Sequence, residues 1–195
     1  MDVSEALRKR KSVRSFIDKD VAIEDIKEIL ESAGHAPSGV NTQPWQVLVL
    51  TGDQKQQLQS KMEAEFRAGQ KGKMDYQYYP LEWIEPYKAR RKECGLQMYS
   101  ALEISREDKE KQLNQWAANY RAFDAPVMLL FYMDGVMETG SFLDYGMFIQ
   151  SVMLAATEKG IATCPQAALA EYPEIVKNFA RLDHILCSGN CFLIC

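Results

Sequence analysis

Arginine and serine alternate near the start of the chain, in the string RKSVR. Alternation along an extended backbone would place Arg10, Ser12 and Arg14 on one side and the valine between them on the other. Two guanidinium groups and a hydroxyl that converge in this way can bind a phosphate, with Lys11 in the same cationic string. Short basic runs are also common on solvated surfaces, so the string alone leaves both interpretations open.

A polar stretch rich in turn residues occupies positions 36–45 (APSGVNTQPW). Proline, glycine and asparagine at these spacings are typical of turns, and a plain connection from helix to strand would account for them. The stretch also concentrates amide and hydroxyl groups beside a tryptophan. An isoalloxazine ring presents several acceptors and one N–H, a pattern that amide side chains such as those of Asn41 and Gln43 can match.

A proline followed by small residues forms a third segment, CPQAA at residues 164–168. The pattern predicts a rigid loop whose backbone N–H groups approach a ring closely, because Ala167 and Ala168 leave room. Donors placed there would face the edge of a flavin at which electron density builds on reduction. A turn that ends a strand is the alternative interpretation.

Composition limits the class of protein. The 195 residues are 47% hydrophobic and 26% charged, which predicts one globular domain spanning residues 1–195. A formal net charge of −4 argues against a general nucleic-acid binder. Cationic residues cluster locally at 8–14 and 88–92, and local clusters in an acidic protein suit a small anionic ligand.

The sequence also predicts a cytoplasmic protein without a membrane span. No stretch approaches the ~18 apolar residues that a span needs, and the acidic start MDVSE predicts no signal peptide. Five cysteines at irregular spacing favour reduced thiols over a disulfide framework. Cys187, Cys191 and Cys195 are evenly spaced, but this spacing matches no common metal motif, and no metal site is predicted.

Hydrophobic periodicity and turn residues predict an α+β arrangement. Predicted helices cover residues 3–10, 23–33, 54–66, 106–123, 142–159 and 172–182, and predicted strands cover 46–51, 127–133 and a segment that begins at 184.

Residues 68–100 carry many aromatic rings and charges with no clean period. We assign residues 68–123 to an excursion from the domain. Its aromatic side chains either pack down on the core or form a lid over a ligand, as long excursions in compact domains often do. Tyr76, Tyr79 and Trp83 are the residues expected to shape access to such a ligand.

Reaction chemistry carried by protein side chains finds little support in the sequence. It contains no G-x-G-x-x-G string and no convincing catalytic triad. The two histidines, His35 and His184, are interpreted as structural. No catalytic side chain is therefore predicted, which is compatible with a cofactor that carries the chemistry.

The order of four motifs resembles the FMN-dependent nitroreductase family. They are RxSxR, APSxxNxQPW, Asp144-Tyr145-Gly146 with Gln150, and TCPQAALAEYP. The form CPQAALAxYP is similar to that of the nitrobenzoate and nitrobenzene reductase-like branch. The resemblance extends from residue 1 to about residue 187.

The resemblance implies a nitroreductase-like α+β fold with a central, mostly antiparallel sheet flanked by helices. It also implies a homodimer with FMN at the interface. Hydride from NADH or NADPH would pass by a ping-pong cycle to a nitroaromatic, a quinone or another small acceptor. The implied FMN contacts are Arg10, Ser12 and Arg14 at the phosphate and ribityl chain, Pro37, Ser38 and Asn41 from the partner subunit, and Pro165, Gln166 and Ala167 along the ring. Lys11 and Gln43 are further candidates for cofactor binding.

Two alternatives stay open from the sequence. One is another flavin reaction on the same fold, such as reductive dehalogenation or ene reduction. The other is a non-enzymatic or impaired flavin-binding protein. The family pattern continues past a glycine-rich strand with a segment that wraps the partner and supplies a late basic residue, whereas this chain ends SGNCFLIC. This atypically short C-terminus predicts a weaker dimer and a weaker phosphate contact.

Overall fold

The computed structural model describes residues 1–181 in full and residues 185–194 as backbone. The helices in this part of the chain are α1 (Val3–Lys9), α2 (Ile23–Ala33), α3 (Gly52–Arg67), α4 (Tyr87–Ala101), α5 (Lys109–Ala117), α6 (Thr139–Glu158) and α7 (Pro173–Ala180). The strands are β1 (Gln46–Thr51), β2 (Val127–Asp134), β3 (Thr163–Gln166) and β4 (Ile185–Ile194). The arrangement is α+β, as the sequence predicts.

The strands form one antiparallel sheet in the order β1-β2-β4-β3. β2 lies inside the sheet, and its residues 127–131 are all buried. A continuous apolar run is expected for a strand that is covered on both faces. β3 lies at an edge of the sheet in the order of strands. Proline is tolerated in an edge strand because its nitrogen, which has no hydrogen to donate, need not bond to another strand.

Alternate residues of β2 point into two different hydrophobic clusters. Met128 and Leu130 pack with residues of α3 and α7, whereas Leu129 and Phe131 pack with residues of α2 and α6. Successive side chains of a strand point to opposite faces, so the chain forms three layers with the sheet in the middle. α6 supplies the largest share of the second cluster, including Tyr145 and Phe148.

The predicted helices at 3–10, 23–33, 54–66, 142–159 and 172–182 and the strands at 46–51 and 127–133 are confirmed to within a few residues. The expected helix at 106–123 is wrong in extent, because α5 ends at Ala117. Ala122, Phe123 and Asp124 instead have positive φ angles. The buried side chains of Lys55 and Gln59 donate hydrogen bonds to the carbonyls of Ala125 and Arg121 and so hold this turn in place.

α4 has no counterpart among the predicted helices. None of its residues is buried, so it lacks the apolar stripe that would reveal a helix in the sequence. It is rich in lysine, arginine, glutamine, methionine and leucine, which favour helix without any packing partner. Local propensity therefore forms this helix within the region that the sequence predicts to be an irregular excursion.

No helix among the described residues is long and apolar enough to cross a membrane. In the same part of the chain no group of three or more histidine, cysteine or acidic side chains could hold a metal ion. Cys195, His184 and the side chains of Cys187 and Cys191 lie outside the described residues.

Candidate functional site

The first and third segments lie side by side. Ser12 pairs with Thr163 in an isolated parallel bridge, and the backbone N–H of Val13 donates to the carbonyl of Thr163 at 3.0 Å. Arg14 then lies close enough to Cys164 for its charge to act on the thiol. Residues 12–13 thus extend the edge of β3 opposite β4, although they are about 150 positions away from it in the sequence.

Val13 and Arg14 line two different cavities, as expected for successive residues of an extended chain. Val13 lines a cavity of about 520 Å³ together with Phe16 and Ala162. Arg14 lines a different pocket of about 290 Å³ together with Tyr99 and Asn119. The arginine and the valine therefore face opposite sides, as the sequence pattern predicts.

The cations of the first segment are available to an anion. Arg14 is exposed, and its guanidinium makes one long hydrogen bond, 3.4 Å, to the carbonyl of Ser12. Within the described residues no carboxylate lies within 4 Å of Arg10, Lys11 or Arg14. By contrast, Lys9 on α1 is paired with Glu5 at 2.6 Å. Three positive charges close together in the chain, with no carboxylate partner in the part that the structure describes, can bind a phosphate.

Residues 163–166 form the edge strand β3, so the expectation of a loop there is wrong. The chain leaves the sheet only at Ala167, where a short 3₁₀ turn over Ala168–Glu171 begins. Pairing with β4 buries Cys164, and this burial raises the pKa of its thiol, while the charge of Arg14 acts in the opposite direction. The thiol is therefore held in its protonated form, which is poorly nucleophilic.

Two buried acceptors in β3 have no hydrogen-bond partner among the described residues. They are the hydroxyl oxygen of Thr163 and Oε1 of Gln166. The other end of the Gln166 amide donates from Nε2 to Oδ1 of Asn119 at 2.9 Å, which fixes its orientation. An unsatisfied buried polar atom costs ~1–3 kcal/mol, and such atoms often mark the place of a ligand or an ordered water.

Asn119 is a site residue that sequence reasoning missed. It follows α5 in a region without a recognisable motif, and tertiary packing alone brings it to Gln166, 47 positions away. It also lines the pocket that contains Arg14. Asn119 therefore links the first segment to the third.

The second segment is fixed to α6 at its start and end. The backbone N–H of Gly39 donates to Oδ2 of Asp144 at 3.1 Å. Trp45 stacks on Phe148 with ring centroids 4.8 Å apart and planes 2° from parallel. The hydroxyl of Tyr145 lies 2.7 Å from the carbonyl of Gln46 and 3.0 Å from that of Tyr132, so its single hydrogen can be donated to either, which ties α6 to β1 and β2. These contacts give a structural role to the Asp144-Tyr145 pair.

The middle of the second segment is exposed and strained. Val40, Asn41 and Gln43 all have positive φ angles, and Val40 is 97% exposed. Positive φ is unfavourable for a β-branched residue, and such strain costs ~1–3 kcal/mol and clusters at functional sites. The hydroxyl of Ser38 accepts from the N–H of Gln43 at 2.9 Å and supports the conformation.

The side-chain amides of Asn41 and Gln43 contact each other within the protomer. Nε2 of Gln43 donates to Oδ1 of Asn41 at 3.2 Å. Pro37 is exposed, and so are both amides, at the surface of the protomer. The polar contacts of this segment lie within itself and with α6, whereas the first and third segments contact each other.

The excursion is attached to the chain that follows the third segment. The hydroxyl of Tyr172 donates to the carbonyl of Gln70 at 2.9 Å, and Lys177 pairs with Asp75 at 2.8 Å. Gly72 approaches so closely that a Cβ atom on it would lie 1.8 Å from the carbonyl oxygen of Glu171. Residues 70–75 are therefore held against the turn that directly follows Ala167.

Comparisons with known proteins agree with the motifs. The model of the Nitroreductase family matches residues 7–192. The nitrobenzene nitroreductase of Ectopseudomonas oleovorans is 38% identical over 84% of this chain and 73% of its own length. The 4-nitrobenzoate reductase of Pseudomonas putida is 32% identical over 93% of this chain and 79% of its own length.

A solved structure shows the same fold. The FMN and NADPH-dependent nitroreductase NfnB from Sphigopyxis sp. strain HMH superposes with a TM-score of 0.95 at 38% identity. The match covers 100% of this chain and 87% of that one. The layers and sheet described above are therefore those of that enzyme.

Proposed function

This chain belongs to the nitroreductase family, and we propose that it is an FMN-dependent oxidoreductase that transfers hydride from NADPH or NADH to a nitroaromatic compound. Family membership and the FMN- and NADPH-dependent relative support the cofactor, the electron donor and the reaction. The nitrobenzene and 4-nitrobenzoate reductases support the acceptor. When bound, FMN accepts a hydride from the nicotinamide and passes it to the acceptor.

The observation that carries the proposal is the junction between residues 12–14 and β3. It combines unpaired cations with two unpaired buried acceptors, Thr163 Oγ1 and Gln166 Oε1, in the described part of the chain. A phosphate needs the cations, and the N–H groups of a polar ring or chain need the acceptors. The residues present therefore fit FMN.

In this assignment Arg10, Ser12 and Arg14 hold the phosphate, with Lys11 contributing positive charge. Gln166 is oriented by Asn119 and offers its free oxygen to the ligand. Pro165 and Ala167 flank Gln166 and limit the space beside the ring. These residues bind and orient the cofactor, and no side chain is assigned a proton transfer.

We further propose a homodimer in which Pro37, Ser38, Asn41 and Gln43 reach the cofactor of the partner subunit. Support comes from the exposure and the positive φ angles of Val40, Asn41 and Gln43, which follow the contact of Gly39 with α6 and lie at the surface of the protomer. A surface that is strained and exposed in one protomer can be stabilised by contacts to a second copy. We place this dimer in a reducing cytoplasm, where Cys94 and Cys164 would remain thiols, as they are in the structure.

The visible absorption spectrum tests the proposed reaction. Purified protein loaded with FMN should show flavin bands near ~450 nm that bleach on anaerobic addition of NADPH or NADH and return on addition of nitrobenzene or 4-nitrobenzoate. Bands that neither nicotinamide bleaches would contradict an oxidoreductase and indicate a flavin-binding protein.

Arg14→Ala tests the phosphate assignment. Loss of a charge-assisted contact should weaken FMN binding by about 1.5–3 kcal/mol, measured by titration of the apoprotein with FMN. Lys9→Ala is the matched control, because Lys9 lies in the same basic run but pairs with Glu5. An unchanged FMN dissociation constant in Arg14→Ala would remove Arg14 from the site.

A further inference from the structure

Aromatic rings of the excursion form a continuous ladder that starts on α6. Tyr76 packs on Phe142 with centroids 4.9 Å apart, and Tyr78 follows at 6.3 Å from Tyr76. Tyr79 meets Tyr78 edge-on at 4.6 Å, and Trp83 lies 5.7 Å from Tyr79. Each spacing is within the range in which aromatic rings attract each other.

A guanidinium group ends the ladder. Cζ of Arg91 lies over the ring of Trp83 at 5.1 Å from its centroid. Within the described residues no carboxylate lies within 4 Å of Arg91. Ring stacking holds a guanidinium in one plane and leaves its edge donors free for an anion. Arg90 likewise lies over the ring of Tyr87 at 5.9 Å, so two members of the 88–92 cluster, which the proposed function does not use, are held by rings, and Arg91 is the one at the end of the ladder.

The upper rings are too exposed to be explained by the core of the protomer. Tyr79 is 54% exposed, and neighbouring Leu81 and Ile84 are 93% and 64% exposed. α4, which carries Arg91, has no buried residue. Exposed apolar side chains near a cation that has no carboxylate partner among the described residues are typical of a binding surface rather than of a solvated loop.

One contact and two short separations along the chain relate this surface to the proposed flavin site. Residues 70–75 lie against the turn after Ala167. Phe142, at the foot of the ladder, is two positions from Asp144, which holds the second segment. Tyr99 of α4 lines the pocket that contains Arg14, and Arg91 is eight residues earlier, ~12 Å along the helix axis.

We propose that Tyr79, Trp83 and Arg91 form a subsite for an aromatic ring that carries an anionic group. The ring packs on the exposed Tyr79 beside the half-buried Trp83, and its anion accepts hydrogen bonds from Arg91. The inference rests on the proposed function, which offers two ligands of this chemistry. One is the adenosine 2′-phosphate end of NADPH, and the other is a nitroaromatic acid.

Matched ligand pairs identify which ligand the subsite binds. NADP⁺ and NAD⁺ differ only in the 2′-phosphate, and 4-nitrobenzoate and nitrobenzene differ only in the carboxylate. Calorimetric titration of the FMN-loaded, oxidised protein gives a dissociation constant for each without any turnover. In Arg91→Gln we expect the dissociation constant of the member that carries the extra anionic group to rise about tenfold in one pair, with the member that lacks this group changed less than about twofold.

Lys92→Gln is the matched control, because Lys92 neighbours Arg91 on α4 but lies over none of the rings in the described part of the chain. It should leave both pairs unchanged. Selective loss with NADP⁺ assigns the subsite to the electron donor, and selective loss with 4-nitrobenzoate assigns it to the acceptor. Equal changes within both pairs, or the same change in Lys92→Gln, would overturn the proposal.

The same titrations separate this inference from the proposed function. Selective loss in Arg91→Gln, together with flavin bands that do not bleach, would support the subsite and contradict the oxidoreductase. Bleaching in the wild-type protein, together with equal changes in both pairs, would support the oxidoreductase and contradict the subsite.

Discussion

The two sides of the proposed site are built in different ways. The cofactor side lies on the sheet, where β3 is flanked by residues 12–13 and by β4, and Cys164 and Gln166 are almost fully buried. The aromatic ladder lies in the excursion, just before and at the start of α4, which has no buried residue. The excursion is held at its start by the Gly72 contact and by one ion pair.

This difference separates the residues proposed to bind FMN from those proposed to select the second ligand. Residues within a packed sheet can change little, because each change of volume or polarity is transmitted to the core. Residues on an exposed excursion can change with little effect on folding. The fold therefore limits which residues the cofactor side can contain, whereas residues of the ladder can be substituted to suit a different ligand.

Phe148→Ala should have the largest effect on stability. Phe148 is 2% exposed and stacks on Trp45, so its loss should lower the free energy of unfolding by about 3–5 kcal/mol in urea titrations. Tyr79→Ala, on the exposed ladder, should change it by less than about 0.5 kcal/mol. Similar losses in the two variants would mean that the excursion is as integral to the fold as α6.

Gly72→Ala should have an intermediate effect, confined to the excursion. The new Cβ atom would overlap the carbonyl oxygen of Glu171, so residues 70–75 must move, at a cost of about 1–3 kcal/mol. Faster proteolysis within residues 68–86, with an unchanged FMN dissociation constant, is the expected result.

Gly95→Ala is the control for this change. Its Cβ would meet nothing within 4 Å, and alanine should stabilise α4 by roughly 0.5–1 kcal/mol. Weakened FMN binding in Gly72→Ala would show that the excursion and the cofactor side form one unit and are not structurally independent.

The Lys177–Asp75 ion pair should have the smallest effect. Its side chains are 18% and 13% exposed, so a double-mutant cycle with alanine should give a coupling energy of about 1 kcal/mol. The Lys177–Glu174 pair, in which Glu174 is 77% exposed, provides the control and should give a coupling near zero. Equal coupling energies would mean that Asp75 does not hold the excursion.

Much of the fold could be predicted because most helices and strands show a local hydrophobic pattern that ends at a turn residue. α2 matches its predicted bounds at both ends, since apolar residues recur at helical spacing and Gly34 follows. β1 matches as well, because a β-branched run ends at Gly52. α4 was missed because it buries nothing, and the end of α5 was misplaced because buried side chains of α3 hold the turn that follows it.

The site was predictable in its parts but not in its assembly. Sequence motifs indicated Ser12 and Gln166, and the structure shows that Ser12 pairs with Thr163 and that Gln166 is oriented by Asn119. Nothing in the sequence indicated Asn119, since its contact with Gln166 arises from packing between remote segments. The pairing of Asn41 with Gln43 was also missed, because it depends on a strained backbone that no propensity favours.

The sequence by itself determined the family, the α+β class and the residue types that suit a phosphate and a flavin ring, because those depend on local spacing and chemistry. Tertiary structure alone decided that residues 12–13 extend β3, that two buried acceptors there lack partners in the described part of the chain, and that Arg91 ends a ladder of rings. These features join segments many positions apart, and only the burial of apolar surface between the layers brings them together.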